Sequence, residues 1–350
     1  MMEYKDDVNE HVYQLISDIK QSKISGSYDL TINTVSLLKD IITHSEWQTA
    51  QELMNVVRTQ GIKLVKSLPL HSCVGNMVRR MLKIIREEFL AGQQSRPEEV
   101  DPQDSLHKLV TSEGGRDDYS KPVAELKPSV MEHIGEFQME LETSADNIAR
   151  QALEHIHANE IVMTLGKSSA VEAFLKKAAS RRKFEVIVAE CAPFCKGREL
   201  AASLERSRIA TTLVADTAIF ALMSRVNKVV IGTHTVMANG GLRAVCGSHT
   251  VALAAKHYSV PVIVLAPMYK LSPQYLRSYD QDLFNCFVSP EGVLDLADGG
   301  ILSKVHVYNP VFDYVPPELI TLFLSNTGGH APSYIYRLLS ELYHPDDYDL

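Results

Sequence analysis

A glycine, a lysine and two serines stand in a row at Gly166-Lys167-Ser168-Ser169, between a short apolar run and a helical pattern. Such a loop offers backbone amides, an ammonium group and two hydroxyls at a helix N-terminus, the chemistry that cradles a phosphate. Its spacing is neither that of a P-loop nor G-x-G-x-x-G, so ATP or dinucleotide binding is not indicated. The same residues equally make a tight turn in which Ser168 or Ser169 caps the helix. Asp216-Thr217 supplies the one acid well placed for chemistry, and it too would make a good helix N-cap. Gly232-Thr233-His234-Thr235 brings an imidazole, which can move protons near neutral pH. Met237-Ala238-Asn239-Gly240-Gly241 offers a helix N-terminus that could hold an anion, with no carboxylate of its own. Cys191 and Cys195, with three residues between them, lie on the run Glu190-Cys191-Ala192-Pro193-Phe194-Cys195. No second Cys or His pair accompanies them to complete a four-ligand metal site, so no metal is expected. His155 and His157 fall on different faces of a helical pattern and read as surface or packing residues. Neither a nucleophile with its base nor two opposed carboxylates emerges. These residues describe a binding cleft with the catalyst missing; no catalytic residue and no cofactor is expected.

The elements that would position them change character near residue 160. Before it, Val35, Leu38, Ile41 and Ile42 recur at helical spacing, and Val74, Met77, Val78, Met81, Leu82, Ile85 and Phe89 make one apolar stripe. A polar, Pro/Gly-punctuated stretch over about 92–121 reads as a loose insertion with one short helix around Leu106–Leu109. A long helical pattern then covers Pro128–His157. After Glu160 come short apolar runs: Ile161–Thr164, Phe184–Ala189, Thr212–Ala215, Lys228–Ile231, Val260–Leu265 and Val305–Tyr308. Helical patterns such as Ala170–Ala179 and Leu242–His257 separate them. Strands that are apolar on both faces, alternating with helices, imply a parallel sheet covered on both sides. The fold class is therefore α/β: an N-terminal all-helical domain over 1–157, then a Rossmann-like, doubly wound parallel sheet domain over 158–350. In such a sheet ligands bind at the carboxyl ends of the strands, where the loops at Gly166–Ser169, Glu190–Cys195, Asp216-Thr217, Gly232–Thr235 and Ala266-Pro267-Met268 would fall.

Two charged stripes lie in the helical half. Arg79, Lys83 and Arg86 share one helix face, either solvated or turned to an acidic partner. Glu132, Glu136 and Glu140 repeat every four residues and make an acidic stripe, again either solvated or a docking face for a basic surface. The whole chain of 350 residues carries 43 acids against 35 bases, a formal net charge of -8. That balance argues against broad nucleic-acid or anionic-membrane binding, which needs a surplus of Lys and Arg. The acidic start Met1-Met2-Glu3-Tyr4-Lys5-Asp6-Asp7 is not expected to be a signal peptide, and no apolar run approaches a membrane span. Asp347-Tyr348-Asp349-Leu350 carries no lipidation or retention signal. Five scattered cysteines suit reduced thiols and a cytosolic chain.

The run Asn227-Lys228-Val229-Val230-Ile231-Gly232-Thr233-His234-Thr235-Val236-Met237-Ala238-Asn239-Gly240 resembles the signature of a family with two branches. Leu271-Ser272-Pro273 and Asn309-Pro310-Val311-Phe312-Asp313-Tyr314-Val315-Pro316-Pro317-Glu318-Leu319-Ile320-Thr321 resemble its later motifs. One branch isomerises methylthioribose-1-phosphate and ribose-1,5-bisphosphate. The other comprises the alpha, beta and delta regulatory subunits of translation initiation factor 2B. The segments Val74-Gly75-Asn76-Met77-Val78-Arg79-Arg80, Glu190 to Cys195, and Ala331-Pro332-Ser333-Tyr334-Ile335-Tyr336-Arg337 through Asp347 look like the beta lineage of that branch.

The isomerases carry a cysteine in a Thr-x-Cys-Asn context after the first sheet strand; here Gly166 stands in its place. They carry an aspartate after Gly-Ala in the fourth-strand loop; here His234 follows Gly232-Thr233. Loss of one member of a catalytic unit typically costs on the order of a thousand- to a million-fold in rate, so the regulatory branch is implied, with a vestigial pocket. The resemblance implies a subunit of a two-fold decamer that exchanges GDP for GTP on initiation factor 2. Its partners would be the alpha, gamma, delta and epsilon subunits and the alpha subunit of the substrate factor, whose phosphorylation the core senses in the stress response. Pairing would run through the Rossmann-like domain, with Leu319–Leu324, Phe323, Tyr334 and Tyr336 as candidate anchors. The alternatives are a stand-alone sugar-phosphate or nucleotide sensor and an active aldose–ketose isomerase.

Overall fold

Apolar spacing of three and four drives the first part of the chain into helices, and the computed structural model places them at Met2–Lys20 (α1), Ser27–His44 (α2), Ala50–Ser67 (α3) and Ser72–Gln94 (α4). The described residues are 2–24, 26–94, 118–123, 125–275, 284–295, 297 and 299–350; the expected short helix at Leu106–Leu109 lies outside them. A fifth helix, Leu126–Arg150 (α5), follows. Thr49 caps α3, its hydroxyl accepting from Glu52 N, while the Glu52 carboxylate accepts from Gln48 N at 2.8 Å. The stripes read from the sequence are core: Val35, Leu38, Ile42, Val74, Val78, Met81, Leu82, Ile85 and Phe89 are fully buried. Gly61 lets α3 and α4 approach closely, since a Cβ there would lie 2.3 Å from Val78 Cγ1.

The compact units are Met1–Glu140 with Leu342–Leu350, and Leu141–Glu341. The division therefore falls within α5 and not at 157–158, and the last nine residues belong with the helices. Burial explains the first difference: Ile148, Ala152 and Ile156 sit in the core of the second unit, with Val162, Phe174, Leu175 and Val230.

In that second unit a seven-stranded sheet runs in the order β10-β9-β7-β4-β1-β2-β3. The strands are Ile161–Leu165 (β1), Glu185–Ala189 (β2), Ala210–Val214 (β3), Lys228–Gly232 (β4), Val262–Leu265 (β7), Leu322–Ser325 (β9) and Gly328–His330 (β10). All pairings are parallel except β10 with β9. Val162 faces Val186 on one side and Lys228 on the other, so the strand order reverses at β1 and β4. The crevice beyond that reversal is where a doubly wound sheet offers a site. Ser169–Ala179, Gly197–Arg206 and Ser248–His257 are the principal flanking helices that follow. Thr235–Val236 (β5), Leu242–Val245 (β6) and Phe312–Val315 (β8) form a separate antiparallel sheet.

Two sequence expectations fail here. Leu242–His257 is not one helix: its first four residues are strand β6, and the helix begins at Ser248 after Gly247 in a left-handed conformation at φ +97°. Val305–Tyr308 is not a strand; it has no ladder, and Val305 and Tyr308 are exposed. Strand propensity without an adjacent partner does not make a strand.

Candidate functional site

Gly166 turns the chain out of β1 with φ +62°, a conformation that suits glycine, and its N–H donates to Ala189 O at 3.0 Å. A Cβ placed on Gly166 would lie 3.3 Å from Cys191 Cβ and 3.4 Å from its Sγ. The space beside this position is therefore held by Cys191. Asp216 fixes that residue: its two carboxylate oxygens accept from Cys191 N at 2.9 Å and Ala192 N at 2.7 Å. Asp216 thus staples the loop after β2 and does not cap a helix; it opens a short 3-10 turn whose N-cap is Ala215. Ser168 takes the N-cap position of the next helix, but its hydroxyl makes no capping bond. It fits against Gly232, where a Cβ would meet Ser168 Oγ at 2.4 Å. Lys167 is exposed and pairs with Glu199 at 2.8 Å; that bond raises the lysine and lowers the carboxylate from their ordinary values.

His234 and Asn239 flank strand β5 of the small sheet, His234 just before it and Asn239 in the turn to β6. The His234 ring lies 4.9 Å from Phe312, and its Nδ1 is 3.1 Å from Thr235 Oγ1. The buried Arg243 guanidinium sits over the same Phe312 ring at 5.3 Å. Asn239 closes its own turn: Oδ1 accepts from Gly241 N at 2.9 Å and Nδ2 donates to Tyr314 Oη at 2.8 Å. One acid that sequence reasoning quoted only as part of a motif is structurally central. The Asp313 carboxylate accepts from Gly247 N at 2.7 Å and His249 N at 3.1 Å, so it occupies the N-terminus of helix Ser248–His257. Two thiols sit nearby. Burial, then Asp216, pushes the Cys191 thiol up to about 12. Burial, then Asp313, pushes Cys246 up to about 11. Both are protonated at neutral pH and are poor nucleophiles.

Gly166, Ser168 and Asp216 are therefore brought together around Cys191 and Gly232, while His234 and Asn239 are spent on local structure. The helix N-terminus that would receive an anion holds Asp313, and the lysine of the first loop holds Glu199. A shallow groove of about 680 Å³ in this unit lies elsewhere, lined among others by Asn147, Gln151, His155, Asn326 and Thr327.

The candidate partner-binding residues divide cleanly. Glu132, Glu136 and Glu140 are all exposed on one face of α5. Tyr336 is 67% exposed, and Tyr334 is 37% exposed, stacked on His330 and covered by Arg337. Phe323 is not an anchor: it is 2% exposed and completes its own sheet, because it is an inward position of β9. Arg79 is 2% and Arg86 6% exposed, so the basic face of α4 is not solvated. Lys83 pairs with Glu87 at 3.6 Å. An aromatic patch that the sequence reading did not single out joins Phe220, His257 and Tyr258, with ring centroids 4.9–5.2 Å apart.

Comparison with known proteins places these features. The chain is 42% identical over 369 residues to translation initiation factor eIF2B subunit beta of Dictyostelium discoideum, covering 95% of each. It is 34% identical to the protein of the same name from Schizosaccharomyces pombe, covering 97% of the chain and 98% of the relative. Ribose 1,5-bisphosphate isomerase of Archaeoglobus fulgidus is 32% identical over 225 residues, 63% of this chain and 69% of its own. Among solved structures, eIF2B beta from Chaetomium thermophilum superposes with a TM-score of 0.75 at 28% identity, over 98% of this chain and 94% of the other. The tetrameric eIF2B-beta2-delta2 complex from the same organism gives a TM-score of 0.72 at 27% identity, over 96% of this chain and 95% of that one. The initiation factor 2 subunit family matches residues 23–332, and on that span and these relatives the chain belongs to that family.

Proposed function

We propose that the chain is a non-catalytic regulatory subunit of the guanine nucleotide exchange factor for translation initiation factor 2, of the beta type. The observation that carries this reading is the near full-length similarity to eIF2B beta, at 42% identity. The solved beta2-delta2 tetramer of a relative supports delta as the immediate partner. On this reading alpha, gamma and epsilon complete a two-fold decamer in the cytosol, with exchange residing in gamma and epsilon. The core formed by alpha, beta and delta binds initiation factor 2 and senses phosphorylation of its alpha subunit.

The pocket is read as vestigial. Gly166 offers no thiol, and Cys191 beside it is held protonated by burial. Gly166→Cys is accordingly expected to leave the chain unable to isomerise ribose 1,5-bisphosphate, followed by product chromatography. Turnover by the variant would restore the isomerase reading. The exposed stripe Glu132, Glu136 and Glu140 is proposed to meet a basic surface of the substrate's alpha subunit, since complementary charge steers encounter. Tyr334 and Tyr336 are proposed anchors in the subunit interface.

The test is GDP release from initiation factor 2 in the assembled complex. Omission of this chain should abolish assembly and the response to substrate phosphorylation. Full exchange and full response without it would refute the proposal. The A. fulgidus isomerase similarity gives the second reading, a free-standing sugar-phosphate sensor. Titration of the lone chain with ribose 1,5-bisphosphate separates the two, since only a sensor should bind it unaided.

A further inference from the structure

We propose that Arg58, Arg79 and Arg86 of the helical unit form a binding site for an acidic, aspartate-bearing peptide, filled here by the chain's own segment His344–Leu350. Arg79 lies at the bottom. Its Nε donates to Asp347 O at 3.0 Å and its Nη2 to Tyr348 O at 3.0 Å, so it reads two successive backbone carbonyls. Burial pulls its guanidinium below the ordinary value, the cost that these contacts offset. Arg86 Nη2 donates to Asp347 Oδ1 at 3.0 Å, and Arg58 Nη2 bonds the same oxygen. Arg86 also lies 3.7 Å from Asp346 Oδ2 and stacks over the Tyr119 ring at 5.4 Å. Gly75, one turn before Arg79, makes the room: a Cβ there would lie 2.9 Å from Arg79 Nη1.

The arrangement has the marks of a receptor and its ligand. Asp347 is 0% exposed, although Pro345, Asp346 and Asp349 around it are exposed. The segment is a 3-10 turn at Pro345–Asp347, not part of a helix of the unit it completes. Recognition combines side-chain charge with main-chain carbonyls, as peptide grooves do. Two guanidinium groups, those of Arg58 and Arg86, meet one oxygen of the buried carboxylate while Arg79 holds the backbone, and the fit is incomplete. Arg79 Nη1, Arg86 Nε and Asp347 Oδ2 are buried without a hydrogen-bond partner among the described residues. A site with two donors still to satisfy favours acidic segments in general, so a second acidic peptide should compete for it.

The experiment uses the full chain with a protease site inserted between the half-buried His344 and the exposed Pro345, cut after folding. Native mass spectrometry should find Pro345–Leu350 still bound after cleavage. Dilution should release it and lower the melting temperature, and added peptide of that sequence should restore it. The peptide carrying Asp347→Asn should bind at least tenfold more weakly. Immediate loss of the segment with unchanged melting, or equal binding of the Asn peptide, overturns the proposal. If the insertion prevents folding, hydrogen exchange on intact Asp347→Asn decides. The amides of Ser72–Gln94 should exchange at least tenfold faster, and an unchanged pattern overturns the assignment.

Discussion

Cys191 shows how a single side chain can close a site. It lies beside the turn at Gly166, its backbone N–H is bonded to Asp216, and burial raises its thiol to about 12. Iodoacetamide at pH 8 should therefore label the half-buried Cys195 and Cys286 well before Cys191, as peptide mapping would reveal. Equal labelling would mean that the loop opens readily. The same residue sets a pH dependence. A free thiol titrates near ~8.5, and the folded value is higher, so the native state favours the protonated form. That contribution is fully present below the unfolded value and is lost as pH rises toward about 12. Cys191→Ala should consequently flatten the alkaline decline of stability above about pH 9 relative to the parent chain. A decline identical in both would assign it to other groups.

At the scale of elements, close approach decides where substitutions hurt. Alanine at an exposed helical glycine would gain about 1 kcal/mol of propensity. Gly61→Ala should instead destabilise, by about 1–3 kcal/mol for overpacking, because its Cβ would meet Val78 at 2.3 Å. Denaturant unfolding measures this, and a stabilised variant would show that α3 and α4 can separate. The helices and the parallel strands were legible because periodicity reports burial directly: the stripe from Val74 to Phe89 is core throughout. Strand β6 was hidden because Leu242–Val245 continues smoothly into the helical pattern, and only the turn at Gly247 separates them. The candidate site was legible as loops, not as contacts. Asp216 read as a helix cap is bonded to Cys191 and Ala192, pairings across 25 and 24 positions that no local pattern carries. The fate of Arg79 and Arg86 was hidden for the same reason, since their acceptors lie more than 260 residues away. Spacing put them on one face, and only the fold shows that this face is buried.

For the whole molecule, the proposed reading is of a regulatory subunit that acts through its partners. The acidic stripe belongs at this scale: Glu136→Lys should weaken binding of the assembled complex to initiation factor 2, with the effect shrinking at high salt, as exposed charges do. Unchanged binding at low salt would remove the stripe from the interface. Tyr336→Ala should loosen the assembly with delta, since exposed aromatic anchors often contribute 2 kcal/mol or more (roughly) when buried by a partner. A mixing titration read by mass photometry would follow it. The most direct test is the native mass of the assembly recovered with this chain from cytosol, by native mass spectrometry. The account predicts a large two-fold complex containing four other polypeptides that accelerates GDP release from initiation factor 2. A homodimer that binds or converts a ribose phosphate would contradict it.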